Sequence, residues 1–156
     1  MKTLKIGIVG GGGMGNVHFA NWAEVEGTQV VALCENSPRG PETAQAWGVT
    51  LYSSITEMVK AGVDVVDICT PTFLHHDMVM ESLNLGIDTI CEKPIALNYA
   101  DAKEMLDTAK EKKLAVQLGY MYRYNPAVQL LLQMIREGKL GEISSICTPP
   151  YKPESM

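Results

Sequence analysis

A doubly wound parallel α/β sheet is the fold class this sequence predicts, and three observations predict it. Short apolar runs alternate with helix-patterned segments along most of the 156 residues. Strands buried on both faces read as unbroken apolar runs, and regular strand–helix alternation gives a parallel sheet with helices on both sides. The first run, residues 4 to 9, stops at four glycines, Gly10 to Gly13, and the chain resumes as a helix at Met14. Six such runs with a glycine turn after the first predict the strand order 3-2-1-4-5-6.

The elements follow in order. The first helix runs from Met14 to about Glu24, and Gln29 to Cys34 is the second strand, ending at Glu35-Asn36. Ser37-Pro38-Arg39-Gly40-Pro41 is a break, followed by a short helix from Glu42 to Trp47. Residues 49 to 52 form a short third strand, and Ser54 with Glu57 has the spacing of a capping box. Asp64 to Cys69 is the fourth strand, Thr70-Pro71-Thr72 a turn, and His76 to Leu85 a helix. Ile87 to Cys91 is the fifth strand and stops at Glu92-Lys93-Pro94. Tyr99 to Lys112 is a long helix with Ala102, Met105, Leu106 and Ala109 along one stripe, and Leu114 to Gly119 is the sixth strand. Beyond Gly119 the pattern changes to the aromatic-rich Tyr120 to Pro126, a helix from Ala127 to Glu137, a Gly-Lys-Leu-Gly break and a strand over 142 to 148.

Bulk properties exclude several classes. Hydrophobic residues make up 46 % and charged residues 20 %, ordinary for a globular domain. The net charge of −5 and the lack of Lys/Arg clusters leave no nucleic-acid footprint. The apolar runs are strand-sized, too short for a bilayer, and Met1-Lys2-Thr3 leads into the first strand without a signal peptide. Cysteines 34, 69, 91 and 147 show no C-x-x-C pairing. They read as reduced thiols in a cytoplasmic protein, with no metal site expected.

The glycine turn carries the chemistry. In the register Gly10-x-Gly12-x-x-Gly15, the first glycine makes the tight turn and the second lets a pyrophosphate approach the backbone. The third lets the helix lie close to the sheet, and the exposed amides of the first turn, at Gly13 and Met14, face the phosphates. Glu35 stands twenty residues after Gly15 at the end of the second strand, where an acid accepts hydrogen bonds from both ribose hydroxyls of NAD. A 2′-phosphate would meet this carboxylate, so NADP is expected to bind less well; Arg39, a few residues on, is a cation able to greet that phosphate. Thr70-Pro71 with His75, and Glu92-Lys93-Pro94, close the fourth and fifth strands on the edge where such sheets bind ligands. Lys93 can hydrogen-bond a substrate hydroxyl and favour its alkoxide as hydride leaves. His75 and His76 either orient a ligand or face solvent at the start of their helix.

Taken together, Gly10-x-Gly12-x-x-Gly15-x-x-His18, Cys69-Thr70-Pro71 with His75, and Glu92-Lys93-Pro94 resemble the glucose–fructose oxidoreductase, inositol dehydrogenase and rhizopine-catabolism family (Gfo/Idh/MocA). Arg123-Tyr124-Asn125-Pro126 and the helix ending Gly138-Lys139-Leu140-Gly141 resemble that family's crossing into its second domain. The resemblance implies NAD(P)-dependent hydride transfer at a hydroxyl carbon of a sugar, cyclitol or related polyol, with Lys93 as the catalytic lysine. It implies a cofactor-binding set of Gly10, Gly12, Gly13, Met14, Gly15, Glu35, Thr70, Pro71, His75, Glu92, Pro94 and Arg123, the last either near the cofactor or at the domain boundary. It also makes Lys93–Pro94 a candidate cis peptide. Family members are roughly twice this length, and their second domain supplies the substrate floor and an Asp and a His that assist proton transfer. The expected organisation is therefore an NAD(P)-binding Rossmann domain at 1–124, then a crossover helix and the first strand of a truncated substrate domain at 125–156. The chain alone is expected to bind NAD with little turnover; the alternative is a non-enzymatic NAD-binding or sensing domain, or an inactive remnant. Substrate identity and oligomeric state are not encoded in these residues.

Overall fold

The computed structural model describes residues 2–147, which fall into two compact units that meet in the chain between Gly119 and Tyr120. The first unit is a six-stranded parallel sheet in the order β3-β2-β1-β4-β5-β6, as the strand–helix alternation predicts. Its strands are β1 (Leu4–Val9), β2 (Thr28–Cys34), β3 (Thr50–Tyr52), β4 (Val65–Ile68), β5 (Asp88–Cys91) and β6 (Val116–Leu118). Between them run α1 (Gly13–Trp22), α2 (Gly40–Trp47), α3 (Ile55–Lys60), α4 (His75–Asn84) and α5 (Tyr99–Lys112). β1 sits at the centre, paired in parallel with β2 and β4. Every strand therefore ends on the same edge, and the turns after β1, β2, β4 and β5 meet there.

The core explains why these segments became strands. Ile6, Ile8, Leu33, Val66 and Ile68 have no accessible surface, and Met58, Val79, Leu83 and Met105 close over them from the helices. Burying each such side chain contributes about 1.5–3 kcal/mol. The central strands are covered on both sides, which is why their sequences do not alternate. Gly7 in β1 leaves room for this packing, since a Cβ there would lie 2.5 Å from the Met58 sulfur and that side chain would have to shift.

Several elements differ from expectation in instructive ways. Burial in β1 begins at Ile6, and Leu4 and Lys5 are exposed. α5 has the expected bounds, but its buried stripe is Met105 and Ala109, while Leu106 is 48 % exposed. Ser54 caps α3 by accepting from the Glu57 amide, yet the Glu57 carboxylate accepts from the Ser53 amide and hydroxyl, so the box closes one residue early. α4 begins at His75 because a 3-10 turn, Thr72–Leu74, leads into it. Lys93–Pro94 is cis.

The second unit holds a 3-10 turn (Met121–Tyr124) and α6 (Pro126–Arg136). Asn125 caps α6 by accepting from the amides of Ala127 and Val128, with Pro126 in the first turn. The strand expected over 142–148 is not formed at 142–147; Thr148, Pro149-Pro150 and the tail lie outside the described residues. A β-prone segment becomes a strand only when a neighbouring strand takes its backbone hydrogen bonds, and none is paired with this one among the described residues.

Candidate functional site

The turn after β1 is built so that the start of α1 is bare. Gly12 is the N-cap and donates no side chain, no acidic residue occupies the first turn, and the first helical bond is Asn16 N–H to Gly12 C=O. α3, α5 and α6 have side-chain caps, and α2 and α4 carry Glu42 and Asp77 in their first turns. Among the described helices α1 alone leaves its leading amides and positive dipole end with neither, which is the chemistry that holds an anion.

The three motif glycines meet three different constraints. Gly10 has φ +95°, a left-handed conformation, and lies against Thr70 and the Cys69 carbonyl. A Cβ on Gly15 would overlap the Gly10 carbonyl oxygen, so the helix can sit this close to the turn only without one. Gly12 is the opposite case: a Cβ there would meet nothing within 4 Å. Its missing side chain keeps open the space in front of the amides. Gly13 and Met14 follow as the first residues of the helix, Gly13 exposed and Met14 half-buried.

Glu35 closes the tip of β2 over this turn. Its carboxylate accepts from the amides of Gly11 at 2.9 Å and Ser37 at 2.8 Å. Burial works to raise its pKa, but these amide donors outweigh burial and hold it below the ordinary glutamate value. Gly40 makes room for it, since a Cβ there would approach the Glu35 carbonyl at 3.0 Å and its Cγ at 3.3 Å. A cleft of about 280 Å³ is lined by Gly10, Gly12, Glu35, Asn36, Thr70 and Pro71, among others. A shallower depression of about 490 Å³ continues from Glu35 and Asn36. Thus Gly10, Gly12, Glu35, Thr70 and Pro71, expected together, line one cleft.

The β4 and β5 ends are bolted to each other. His75 is wholly buried, with Nδ1 2.8 Å from the Pro94 carbonyl oxygen and Nε2 2.9 Å from that of Thr70. It thus differs from a solvent-facing helix-start histidine; His76, next to it, is half-buried and meets Asp77 and Glu104. Glu92 is 4 % exposed and accepts from the Lys93 amide, while the Lys93 side chain is exposed, its Nζ 3.9 Å from Glu92 Oε2. Pro94 is exposed beside it. Arg123 lies in the second unit, exposed, in the 3-10 turn before α6.

Two groups carry weight that the sequence reading did not assign. Asn16 donates from Nδ2 to the carbonyls of Gly11 and Gly12, and Trp47 Nε1–H donates to Asn16 Oδ1. Phe19 stacks on Trp47 at 4.5 Å, so α2 braces the glycine turn through α1. The other is a hydrogen-bonded set in which half-buried His18 and Trp22 meet the buried carboxylates of Asp67 and Glu92. Of its members the sequence marked His18, at a fixed step after the glycines, and Glu92, beside Lys93, but not Asp67 or Trp22. The cysteines are free, with Cys34 and Cys91 buried, Cys69 half-buried and Cys147 exposed. Burial first, then nearby carboxylates, pushes the Cys34 thiol up to about 11 and Cys91 up to about 12. No helix among the described residues is long and apolar enough to cross a membrane.

A parallel sheet in this order, with a glycine turn after β1 and an acid at the tip of β2, defines the Rossmann class. The model of the Gfo/Idh/MocA oxidoreductase family, described as having an NAD-binding Rossmann fold, matches residues 4–120, and the chain belongs to this family. It is 32 % identical over 144 residues to the rhizopine catabolism protein MocA of Rhizobium meliloti, covering 92 % of this chain and 45 % of that protein. It is 27 % identical to the inositol 2-dehydrogenase of Rhizobium meliloti strain 1021, covering 98 % of this chain and 47 % of that one. The scyllo-inositol dehydrogenase of Lactobacillus casei, solved with NAD(H) and scyllo-inositol, superposes with a TM-score of 0.84 at 30 % identity, over 92 % of this chain and 44 % of that one. The chain therefore spans less than half the length of these relatives.

Proposed function

We propose that this chain binds NAD(H) across the carboxyl edge of its sheet, as the cofactor half of a dehydrogenase acting on a sugar, cyclitol or related polyol. The observation that carries the reading is the pairing of an uncapped helix start, kept open by Gly12, with the Glu35 carboxylate on the same cleft. Leading amides at Gly13, Met14 and Gly15 take the pyrophosphate. The Glu35 carboxylate takes the ribose hydroxyls and disfavours a 2′-phosphate, so NAD is preferred to NADP. Gly10, Thr70 and Pro71 shape the wall, and buried His75 and Glu92 hold Thr70, Pro94 and Lys93 in place rather than facing the ligand. Arg123 serves either the cofactor or the domain boundary.

The bound nicotinamide supplies hydride exchange. What this chain adds is the Lys93 amine, exposed at the end of β5, which takes or returns the proton of a substrate hydroxyl. Among the described residues its one ion-pair partner is Glu92, so the chain by itself is expected to bind NAD with little turnover. On this reading residues 1–124 form the cofactor domain and 125–156 lead toward a substrate domain, and the protein works in the cytoplasm with its thiols reduced. The test is a titration of the 156-residue chain with NADH, followed by the cofactor's fluorescence. Saturable enhancement, weaker with NADPH, supports the reading; a flat signal sinks it.

A further inference from the structure

His18 stands at the centre of a buried contact chain that links two parts of the proposed site. Its Nδ1 lies 2.9 Å from Asp67 Oδ2 and 3.1 Å from Oδ1, and its Nε2 lies 3.2 Å from Glu92 Oε1. Asp67 has no accessible surface and Glu92 4 %. Trp22 Nε1–H, one turn further along α1, donates to Asp67 Oδ2 at 2.7 Å. The other oxygen of Glu92 accepts from the Lys93 amide at 3.1 Å. Ionised carboxylates only accept, and a neutral imidazole has one N–H, so both ring contacts are hydrogen bonds only when both nitrogens carry protons.

We propose that His18 is a positioning residue: held at both ring nitrogens, by Asp67 from β4 and Glu92 after β5, it ties the phosphate-facing helix α1 to the backbone of Lys93. Its use in hydride transfer rests on the cofactor reading above; the clamp itself does not. Two buried carboxylates with one cation between them make the charged ring the stable form, and unpaired carboxylates at this depth would be costly. Hydrogen bonding to Asp67 leads the causes that raise the ring above its ordinary value, overcoming the opposing effect of burial, with Glu92 adding to it.

The remaining titratable groups around the ring do not replace it. Cys69 Sγ donates weakly to Asp67 Oδ1 at 3.8 Å, and burial first, then Asp67, raises that thiol, so it stays protonated. His18, Asp67 and Cys69 could be read as a metal-ligand set, since their ligand atoms lie within 4.8 Å of one another. In this structure the Asp67 carboxylate bonds Trp22 and His18, with the Cys69 thiol 3.8 Å away, so the three form a hydrogen-bond network. The Cys91 thiol donates to the Glu92 carbonyl. The exposed Lys93 amine, 3.9 Å from Glu92 Oε2, is a second cation on the solvent side of Glu92.

The Lys93 amide reports the clamp directly, and the experiment uses the full chain without cofactor. Hydrogen exchange at that amide is measured from pH 6 to 9, corrected for the intrinsic rate, while ¹⁵N shifts follow the His18 ring. The expected result is a ring protonated at both nitrogens at pH 6, and amide protection that is lost as pH rises through the ring's titration. In His18→Gln the amide exchanges on the order of tenfold faster at pH 6, with no step in pH. Gly119→Ala is the second variant, because a Cβ there would lie 2.5 Å from Glu92 Oε1 and push that carboxyl off His18 while sparing Asp67. It is expected to weaken the same protection and lower the ring's titration in a folded protein. A singly protonated ring at pH 6, or Lys93 protection indifferent to pH in the parent and to Gly119→Ala, overturns the proposal. The expected exchange pattern in a chain that gives no NADH signal supports the clamp and defeats only the cofactor reading.

Discussion

Alanine at Gly15 and alanine at Gly12 should fail in opposite ways, although both positions belong to one motif. At Gly15 the new methyl overlaps the Gly10 carbonyl oxygen and comes within 3.1 Å of its carbon, with Trp47 at 3.6 Å behind it. The obstructing atoms are backbone, so no rotamer relieves them and α1 must back away from the turn. Overpacking of this kind costs about 1–3 kcal/mol, and a rigid obstacle places it at the upper end. Replacing a helical glycine recovers about 1 kcal/mol of propensity, leaving a net loss of about 2 kcal/mol. For a unit of this size that lowers Tm by roughly 5–10 °C. At Gly12 the methyl meets nothing, and the main cost is a poorer N-cap, under about 1 kcal/mol. It does intrude where a pyrophosphate must approach the amides, so NADH affinity should fall on the order of tenfold or more. Thermal melting of the cofactor-free chain and NADH titration of each variant separate the two. A Gly12→Ala chain that binds NADH like the parent, or a Gly15→Ala chain that melts like it, refutes the reasoning.

Further outcomes follow from Glu35 and His75. Glu35→Gln keeps one acceptor for the Gly11 and Ser37 amides and loses the charge, so the preference for NADH over NADPH should shrink on the order of tenfold, read by competitive titration. Because amide bonding holds the folded Glu35 below the ordinary 4.5, its contribution to stability is present above that pH and is lost as pH falls through the folded value. Urea midpoints should show that acid limb in the parent and a weaker one in the variant. His75→Ala removes a fully buried ring and its contacts to the Thr70 and Pro94 carbonyls, and should cost about 2–4 kcal/mol in urea unfolding; a loss below about 1 kcal/mol would contradict its role as a bolt.

The sheet was legible because its strands are buried on both faces, so Ile6–Val9 and Ala32–Cys34 read as apolar runs without alternation, and β4 differs from them only by the buried Asp67. The strand order followed from the glycine turn's place after the first of them. Gly10, Gly12, Glu35, Thr70 and Pro71 were legible as lining residues because each stands where a parallel strand ends. His75 was open between two settings because its partners, the Thr70 and Pro94 carbonyls, lie across two turns, and the 3-10 turn that aims it leaves no periodic mark. His18, Asp67 and Glu92 lie 49 and 74 positions apart along the chain, and only the parallel crossovers bring them together. The strand expected at 142–148 failed for a related reason: its residues favour extended backbone, but a strand also needs a partner edge. Leu106 shows the limit of helical periodicity, which marks a stripe without saying how much of it the sheet covers.

The central claim is that the bare start of α1 and the tip of β2 together hold NAD(H), and amide chemical-shift mapping tests it most directly. Adding NADH to the ¹⁵N-labelled chain should shift the amides of Gly11 to Gly15 and of Ser37, which flank the open space at Gly12 and report on the Glu35 carboxylate. Those shifts should saturate together along one binding curve and be reduced in Gly12→Ala. Saturable shifts confined to residues away from the carboxyl edge of the sheet, or none at these amides, would contradict the account.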